Sequence, residues 1–237
     1  MSAILGIDTA TGVVAVAAIR EGEVVREVGH DPDEAGRPRH AALLLPEIER
    51  CVDAAGGWEA IDRIAVGVGP GSFTGLRIGI STARGLAQGR SLPLAPVGTL
   101  AALARGISDA DPQGERQALP VLDARRAECF AALYDGEGAE VWAPAVAPPE
   151  RLAERLRELG SSPLAAGDGS LRFREQLEPA GAEVADPGAP VHRIAARHIC
   201  ALGREAMTAP PERVEPIYLR APDAERWRER DRRELSG

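Results

Sequence analysis

The sequence predicts an α/β protein of two similar lobes, in which mixed sheets are flanked by helices. Apolar stretches of strand length alternate with stretches of helical periodicity, and this alternation favours sheets covered by helices. A strand–turn–strand pattern near the start of the chain returns after residue 108. The length of 237 residues suits one large domain or two small ones.

The first pattern begins at the N-terminus. AILGID is an apolar strand ending on Asp8, VVAVAAIR and VVREVG are the next two strands, and EGE is the turn between them. A helix follows from about His40, because apolar residues such as Leu44 and Ile48 recur at helical spacing, and Gly56-Gly57 ends it. A buried strand, IDRIAVGVG, then leads into a glycine-rich loop and a helix over about residues 76–88. SLPLAPVG and TLAALARGI predict a further strand and helix.

The second pattern follows a polar stretch, SDADPQGER. ALPVLDARRAECFAALYDGEGAEVW predicts a strand, an acid at Asp123, a turn, a strand, a glycine-containing turn and a third strand. Asp8 lies 14 residues before the turn glycine Gly22, and Asp123 lies 13 residues before Gly136. This repeat is the layout of the actin-like (ASKHA) superfold, which consists of two RNase H-like lobes.

The rest of the chain predicts mostly helices. A short helix lies within residues 144–160, a strand, turn and helix follow, and VHRIAARHICALGREAM predicts another helix. PERVEPIYLR is a last extended segment. We therefore expect an N-terminal lobe over residues 1–107, a C-terminal lobe over 108–220, and a charged, flexible tail over 221–237.

Composition excludes several classes of function. The net charge of −8 and the aromatic content of 3% argue against extensive direct binding of nucleic acid. The chain has no lysine, so it has neither a P-loop lysine nor a Schiff-base lysine. Cys51, Cys129 and Cys200 are widely spaced, which is typical of reduced, packed thiols in a cytoplasmic protein. No apolar run is long enough to predict a membrane span.

The most distinctive segment is GVGPGSFTGLRIGI, residues 67–80. A strand, a glycine-rich loop and a helix in this order can direct backbone N–H groups at a phosphate, and Ser72 or Thr74 can cap the helix. The Walker pattern fails because GK[ST] is missing, and the dinucleotide pattern lacks its third glycine. Direct phosphate binding is therefore the weaker interpretation.

The helix after this loop carries a stripe of small residues. Gly75, Gly79, Ala83 and Ala87 recur every four positions and therefore share one face. Such a stripe lets a second helix approach closely. The sequence leaves open whether the partner belongs to the same chain or to another subunit.

Several motifs together resemble the TsaB (YeaZ) family. They are, in order, IDTAT, RHAALLLPEIE, GPGSFTGLRIG, DARRAECFAALY and EPIYLR, and the resemblance runs from about residue 4 to residue 220. It implies the actin-like fold and a part in forming N6-threonylcarbamoyladenosine at position 37 of tRNA. Members of this family look like degenerate paralogues of the transferase TsaD. Each is a non-catalytic subunit that docks and activates TsaD, alongside the ATPase TsaE.

The resemblance also implies an interface. The helices of the first lobe form a homodimer when the chain is alone, and a similar face takes up TsaD. The complex contacts tRNA mainly through the transferase, in the cytoplasm and without a membrane. The residues implied in the dimer and partner interface are Leu44, Ile48, Thr74, Gly75, Arg77, Gly79, Ala83 and Ala87.

The histidines favour a non-catalytic relative. The transferase paralogue carries a metal-binding HxxxH pair, a spacing that places both ligands on one helix face. Here Leu44 stands four residues after His40, and His192 and His198 are six residues apart. We therefore expect no catalytic residue and no metal. A peptidase activity should not be carried over from older names in the family.

A residual nucleotide site is a separate question. Asp8 and Asp123 match the two acidic positions of actin-like enzymes, so Asp8, Thr9 and Asp123 are its candidate residues. DARR lacks the glycines of a phosphate hairpin, and GDG at 167–169 is a weak signal. We expect no cofactor in this chain, and any ATP or ADP would be bound at the complex. Two alternatives remain: an actin-like ATP-binding protein or ATPase, and a metallopeptidase.

Overall fold

The computed structural model describes residues 2–111, 113 and 115–220, so the tail predicted over 221–237 lies outside the described residues. Ten strands in this part of the chain form two five-stranded sheets. The strands of the first sheet are β1 (Ala3–Asp8), β2 (Val14–Arg20), β3 (Glu23–His30), β4 (Ile61–Gly67) and β5 (Leu94–Val97). The strands of the second sheet are β6 (Ala118–Arg125), β7 (Glu128–Tyr134), β8 (Glu140–Ala147), β9 (Leu164–Ala166) and β10 (Glu183–Val184).

The two sheets repeat one topology. Their orders are β3-β2-β1-β4-β5 and β8-β7-β6-β9-β10. In the first sheet, β1 pairs antiparallel with β2 and parallel with β4. In the second, β6 pairs antiparallel with β7 and parallel with β9. The predicted α/β fold of two lobes with mixed sheets is therefore confirmed.

Seven α-helices in the described residues flank these sheets. They are α1 (His40–Ala55), α2 (Phe73–Arg90), α3 (Thr99–Ala110), α4 (Pro149–Leu159), α5 (Asp168–Arg172), α6 (Arg174–Leu177) and α7 (Ala196–Glu205). No helix among the described residues is both long enough and apolar enough to cross a membrane.

The helices α1 and α2 cover one face of the first sheet and form a core with it. α1 ends because Gly56 takes a left-handed conformation, with φ of 102°, and its N–H turns back to the last carbonyls. α2 begins at Phe73 because the hydroxyl of Ser72 accepts a hydrogen bond from the N–H of Gly75, at 3.4 Å. Of the two predicted caps, the structure uses Ser72.

The opposite face of the first sheet is covered by α7, which follows the second sheet in the chain. The approach is close: a Cβ added at Gly6 would lie 2.5 Å from Sγ of Cys200, and one at Gly203 would lie 2.3 Å from Cβ of Ala65. Only glycine permits this contact between helix and sheet.

The helix α3 packs against β6 of the second sheet, although it precedes that sheet in the chain. It also contacts α7, so one core between the sheets joins both lobes. The predicted division between residues 107 and 108 falls inside α3. Because α3 and α7 each pack on the sheet of the other half, the lobes share elements across this division.

Candidate functional site

A cleft of about 500 Å³ lies between the two lobes. The first lobe contributes the turn after β1 and the loop that precedes α2. The second lobe contributes the β6–β7 turn and Asp168 at the start of α5. Residues 217–220 run along the cleft and complete its lining.

The acid at the end of β1 does not line this cleft. Asp8 is buried, and its carboxylate accepts hydrogen bonds from the N–H of Ala10 at 2.8 Å and from the hydroxyl of Thr99 at 3.1 Å. A Cβ added at Gly67 would lie 1.8 Å from Oδ2 of Asp8, so backbone closes over the carboxylate. Burial raises the pKa of Asp8 to about 6, although the two hydrogen bonds lower it. Asp8 therefore has a structural role, because its buried carboxylate connects the turn after β1 to the start of α3.

Thr9 is also buried, and it faces α2. Its hydroxyl donates a hydrogen bond to the carbonyl of Gly75 at 2.7 Å. A Cβ added at Gly75 would lie 2.0 Å from the carbonyl oxygen of Thr9, and one at Gly79 would lie 2.3 Å from its Oγ1. Thr9 is thus a packing residue, and neither Thr9 nor Asp8 lines the cleft.

These contacts also show what the stripe of small residues packs against. Gly75, Gly79, Ala83 and Ala87 are buried within this chain. Of the two partners that the sequence left open, the structure provides the one in the same chain. The stripe itself is therefore not an available docking surface, because its own lobe already covers it.

The predicted interface residues are divided by burial. Leu44 and Ile48 of α1 are as buried as the stripe, whereas Thr74 and Arg77 of α2 are exposed. Any role of the six buried residues in docking would have to be indirect, through the shape of the helix pair.

The outward side of α1 and α2 carries residues that the sequence analysis missed. The side chains of Leu45 and Phe73 are 53% and 41% exposed. A Cβ added at Gly85 would meet nothing within 4 Å, and Ser81 lies exposed one turn earlier. A signal existed in the sequence, because Ser81 and Gly85 are also four residues apart.

The second-lobe acids lie at the cleft but are engaged. Oδ2 of Asp123 accepts a hydrogen bond from Nη1 of Arg172 at 2.7 Å, and Oδ1 accepts from the N–H of Arg125 at 2.8 Å. The N–H of Asp123 donates to Oδ1 of Asp168 at 2.9 Å. Burial raises the pKa of Asp168. Of the three predicted nucleotide-site residues, Asp123 alone lines the cleft.

The β6–β7 turn has an unusual backbone. Arg125, Arg126 and Ala127 have φ angles of 64°, 54° and 58°, so three successive residues other than glycine are left-handed. Each costs roughly 1 kcal/mol in this conformation. Arg220 contacts both ends of the turn, since its Nη1 donates to the carbonyl of Ala124 at 2.8 Å and its Nη2 pairs with Glu128 at 2.5 Å.

The four histidines lie in separate surroundings. His40 is buried, which lowers its pKa, and Leu44 follows it one turn later inside the core. His198 lies 3.4 Å from Asp109, and burial lowers its pKa too. Among the described residues, no group of three or more His, Cys, Asp or Glu side chains could hold a metal ion.

Known proteins resemble this chain over nearly its whole length. The family model described as TsaD, tRNA N6-adenosine threonylcarbamoyltransferase, matches residues 17–177. The Escherichia coli K12 protein named tRNA threonylcarbamoyladenosine biosynthesis protein TsaB is 33% identical, over 92% of this chain and 94% of that protein. The structure of YeaZ from Pseudomonas aeruginosa is 30% identical, with a TM-score of 0.75, over 92% of this chain and 100% of that chain.

A more distant structure shares the fold alone. It is the ROK hexokinase from Thermus thermophilus, with 15% identity and a TM-score of 0.50, over 84% of this chain and 99% of that chain. Two copies of one mixed-sheet topology around a cleft define the molecule as an actin-like protein. Asp8, the acid at the end of β1, is buried within the first lobe. The chain belongs to the TsaB (YeaZ) family.

Proposed function

We propose that this chain is a non-catalytic subunit in the formation of N6-threonylcarbamoyladenosine at position 37 of tRNA. In this role it docks and activates a TsaD-type transferase in the cytoplasm. The observation that carries the proposal is the 33% identity, over 92% of the chain, to the Escherichia coli protein named for this biosynthesis. The partner supplies the chemistry and most of the contacts with tRNA, consistent with the net charge of −8 on this chain.

The side-chain environments support a non-catalytic role. Asp8 is tied to Ala10 and Thr99 beneath the backbone of Gly67. Asp123 is bound by Arg172 at 2.7 Å. The carboxylates that an actin-like enzyme would use are thus engaged in internal contacts. This chain needs no cofactor, and any ATP or ADP would be bound at the complex, which also includes a TsaE-type ATPase.

The docking surface is the outward side of the helix pair, here called the α1–α2 face. It comprises the exposed residues Leu45, Phe73, Thr74, Arg77, Ser81 and Gly85. Leu45 and Phe73 offer apolar anchors, and the open space at Gly85 permits a partner helix to approach closely. A homodimer uses the same face when the transferase is absent, so the two assemblies compete.

Activation requires a difference in affinity. A subunit can shift its partner toward an active conformation only by as much as it binds that conformation more tightly than the inactive one. The docking face must therefore complement one particular arrangement of transferase helices.

The test compares two glycines that both face open space. Gly85 lies on the α1–α2 face, whereas Gly188 lies in an exposed loop of the second half of the chain, and a Cβ at either position meets nothing within 4 Å. Light scattering after size exclusion, with binding titrations, measures association with the transferase of the same organism. We expect Gly85→Leu to weaken association by about tenfold or more, and Gly188→Leu to leave it unchanged.

The outcomes separate the parts of the proposal. If Gly85→Leu associates like the wild type, the α1–α2 face is not the docking surface. If the wild type does not associate with the transferase at all, the subunit role is wrong. An ATP-dependent rise in melting temperature of the isolated chain would then favour the actin-like ATP-binding alternative.

A further inference from the structure

We propose that residues 215–220 form a clasp that couples the opening of the interlobe cleft to the shape of the α1–α2 face. The clasp crosses from one lobe to the other along the cleft and contacts α2 on the way. This inference rests on the proposed function, because it concerns how the same docking face is regulated.

The first attachment of the clasp is to the loop after β4. The N–H of Ile217 donates a hydrogen bond to the carbonyl of Val68 at 2.7 Å. A Cβ added at Gly69 would lie 2.9 Å from the carbonyl oxygen of Ile217, so the two backbones are in close contact. This end of the clasp therefore moves with the first lobe.

The second attachment is to the β6–β7 turn of the second lobe. The side chain of Arg220 is only 17% exposed. Its Nη1 donates to the carbonyl of Ala124 at 2.8 Å, and its Nη2 pairs with Glu128 at 2.5 Å. Ala124 and Glu128 flank the three left-handed residues, so one guanidinium group holds both ends of a turn whose backbone is unfavourable by itself.

Between the two attachments, the clasp contacts the docking face. The ring of Tyr218 stacks on that of Phe73, with centroids 5.3 Å apart. Nε of Arg77 donates to the hydroxyl of Tyr218 at 3.2 Å, and its guanidinium lies 4.0 Å from the centroid of the Phe73 ring. Phe73 and Arg77 both belong to the α1–α2 face.

These contacts form a continuous path of packed groups. Arg220 and Tyr218 are two residues apart, so a movement of the β6–β7 turn that displaces Arg220 also displaces the ring against Phe73. In the closed arrangement the Phe73 and Arg77 side chains are held in place. Release of Arg220 frees them, and a partner must then order them at an entropic cost.

The first experiment measures the distance between the lobes. The native cysteines are buried, so spin labels on Glu59→Cys and Glu158→Cys report on one exposed site in each half of the chain. Pulsed electron paramagnetic resonance should give a narrow distance distribution for the wild type. We expect Arg220→Met to broaden it or shift it to longer distances. Arg213→Met, which removes an exposed arginine just before the clasp, should leave it unchanged.

The second experiment is a double-mutant cycle on binding to the TsaD-type transferase. We expect Arg220→Met and Tyr218→Ala each to weaken binding by about threefold to tenfold, and the double variant to be no weaker than the worse single variant. Tyr218 is exposed, so its replacement provides a binding readout even where Arg220→Met lowers folding stability.

Each result decides a different point. An unchanged distance distribution in Arg220→Met overturns the clasp. A changed distribution with unaltered binding, or fully additive losses in the cycle, overturns the coupling but leaves the docking proposal intact. Failure of the wild type to bind the transferase overturns the proposed function and with it the coupling, whereas the distance measurement still reports on the clasp.

Discussion

At the scale of single residues, α2 contains two kinds of glycine. Gly75 faces inward and touches the backbone of Thr9, whereas Gly85 faces open space. Glycine in a helix interior costs about 1 kcal/mol relative to alanine, whichever way it faces. Inside the lobe that cost is offset by a contact that a larger residue would prevent.

Alanine at these two positions should therefore have opposite effects. In Gly75→Ala the new Cβ would lie 2.0 Å from a backbone oxygen, and we expect the free energy of unfolding to fall by about 2 kcal/mol. Gly85→Ala meets no atom and should raise that free energy by about 1 kcal/mol. Urea unfolding of both variants measures the difference. Equal effects would contradict the inward placement of Gly75.

A second prediction at the residue scale concerns Asp8 and the pH dependence of the free energy of unfolding. The pKa of Asp8 is raised from 3.8 to about 6 by burial, so the folded chain binds this proton more tightly than the unfolded chain does. The contribution of Asp8 to the free energy of unfolding therefore falls as the pH rises from about 4 to 6, by at most about 3 kcal/mol.

Asp8→Asn removes that dependence. We expect the stability of the variant relative to the wild type to increase between about pH 4 and pH 6.5 in urea unfolding. Because Asp8 is internal, association with the transferase should persist at neutral pH. Parallel pH profiles for the two proteins would show that the Asp8 carboxylate is not perturbed in the fold.

At the scale of elements, the β6–β7 turn differs from the other hairpins in its backbone. Arg125, Arg126 and Ala127 in this turn all carry a Cβ, and yet they take positive φ angles that glycine adopts more easily. Contacts of Arg220 and Asp123 with the flanking backbone hold this conformation. The turn is therefore specified by a tertiary contact, that of Arg220, together with the local hydrogen bond between Asp123 and the N–H of Arg125.

A pair of glycine substitutions tests this view. Ala127 has a φ of 58°. We expect Ala127→Gly to lose no stability and to gain at most about 1 kcal/mol, because glycine does not bear the energetic cost of the left-handed conformation. Ala54→Gly, at an exposed helical position of α1, should lose about 1 kcal/mol. Thermal or urea unfolding measures both. If both variants lost the same stability, Ala127 would not be in a left-handed turn.

At the scale of the whole molecule, the two lobes depend on each other for their helices. α7 covers the first sheet and α3 contacts the second, so the core between the sheets contains residues from both halves of the chain. Neither sheet has both faces covered by neighbouring sequence alone. The lobes are expected to unfold together.

A fragment of residues 1–110 should consequently not fold alone. It contains all of the first sheet but lacks α7, which leaves one apolar face of β1, β2 and β4 in water. We expect it to bind a hydrophobic dye and to show no cooperative thermal transition, whereas the full chain melts in one step. A cooperative transition in the fragment would show that the first lobe is an independent domain.

The sequence by itself determined the local and repeated features of this protein. The repeated strand pattern around Asp8 and Asp123 and the end of α1 at Gly56 follow from short-range spacing and turn chemistry. Ordered motifs such as GPGSFTGLRIG were specific enough to indicate the family. Neighbouring residues alone decide such features, so no tertiary contact was needed to predict them.

Only the tertiary structure decided which face of each helix and which side chains point into the core. Periodicity shows that Gly75 and Gly79 share a face, but it does not show that Thr9 occupies that face. The same limit applies to Asp8, whose direction depends on the backbone of Gly67 and the hydroxyl of Thr99, far away in sequence. Burial and docking surfaces depend on contacts between distant segments, and these exist only once the chain has folded.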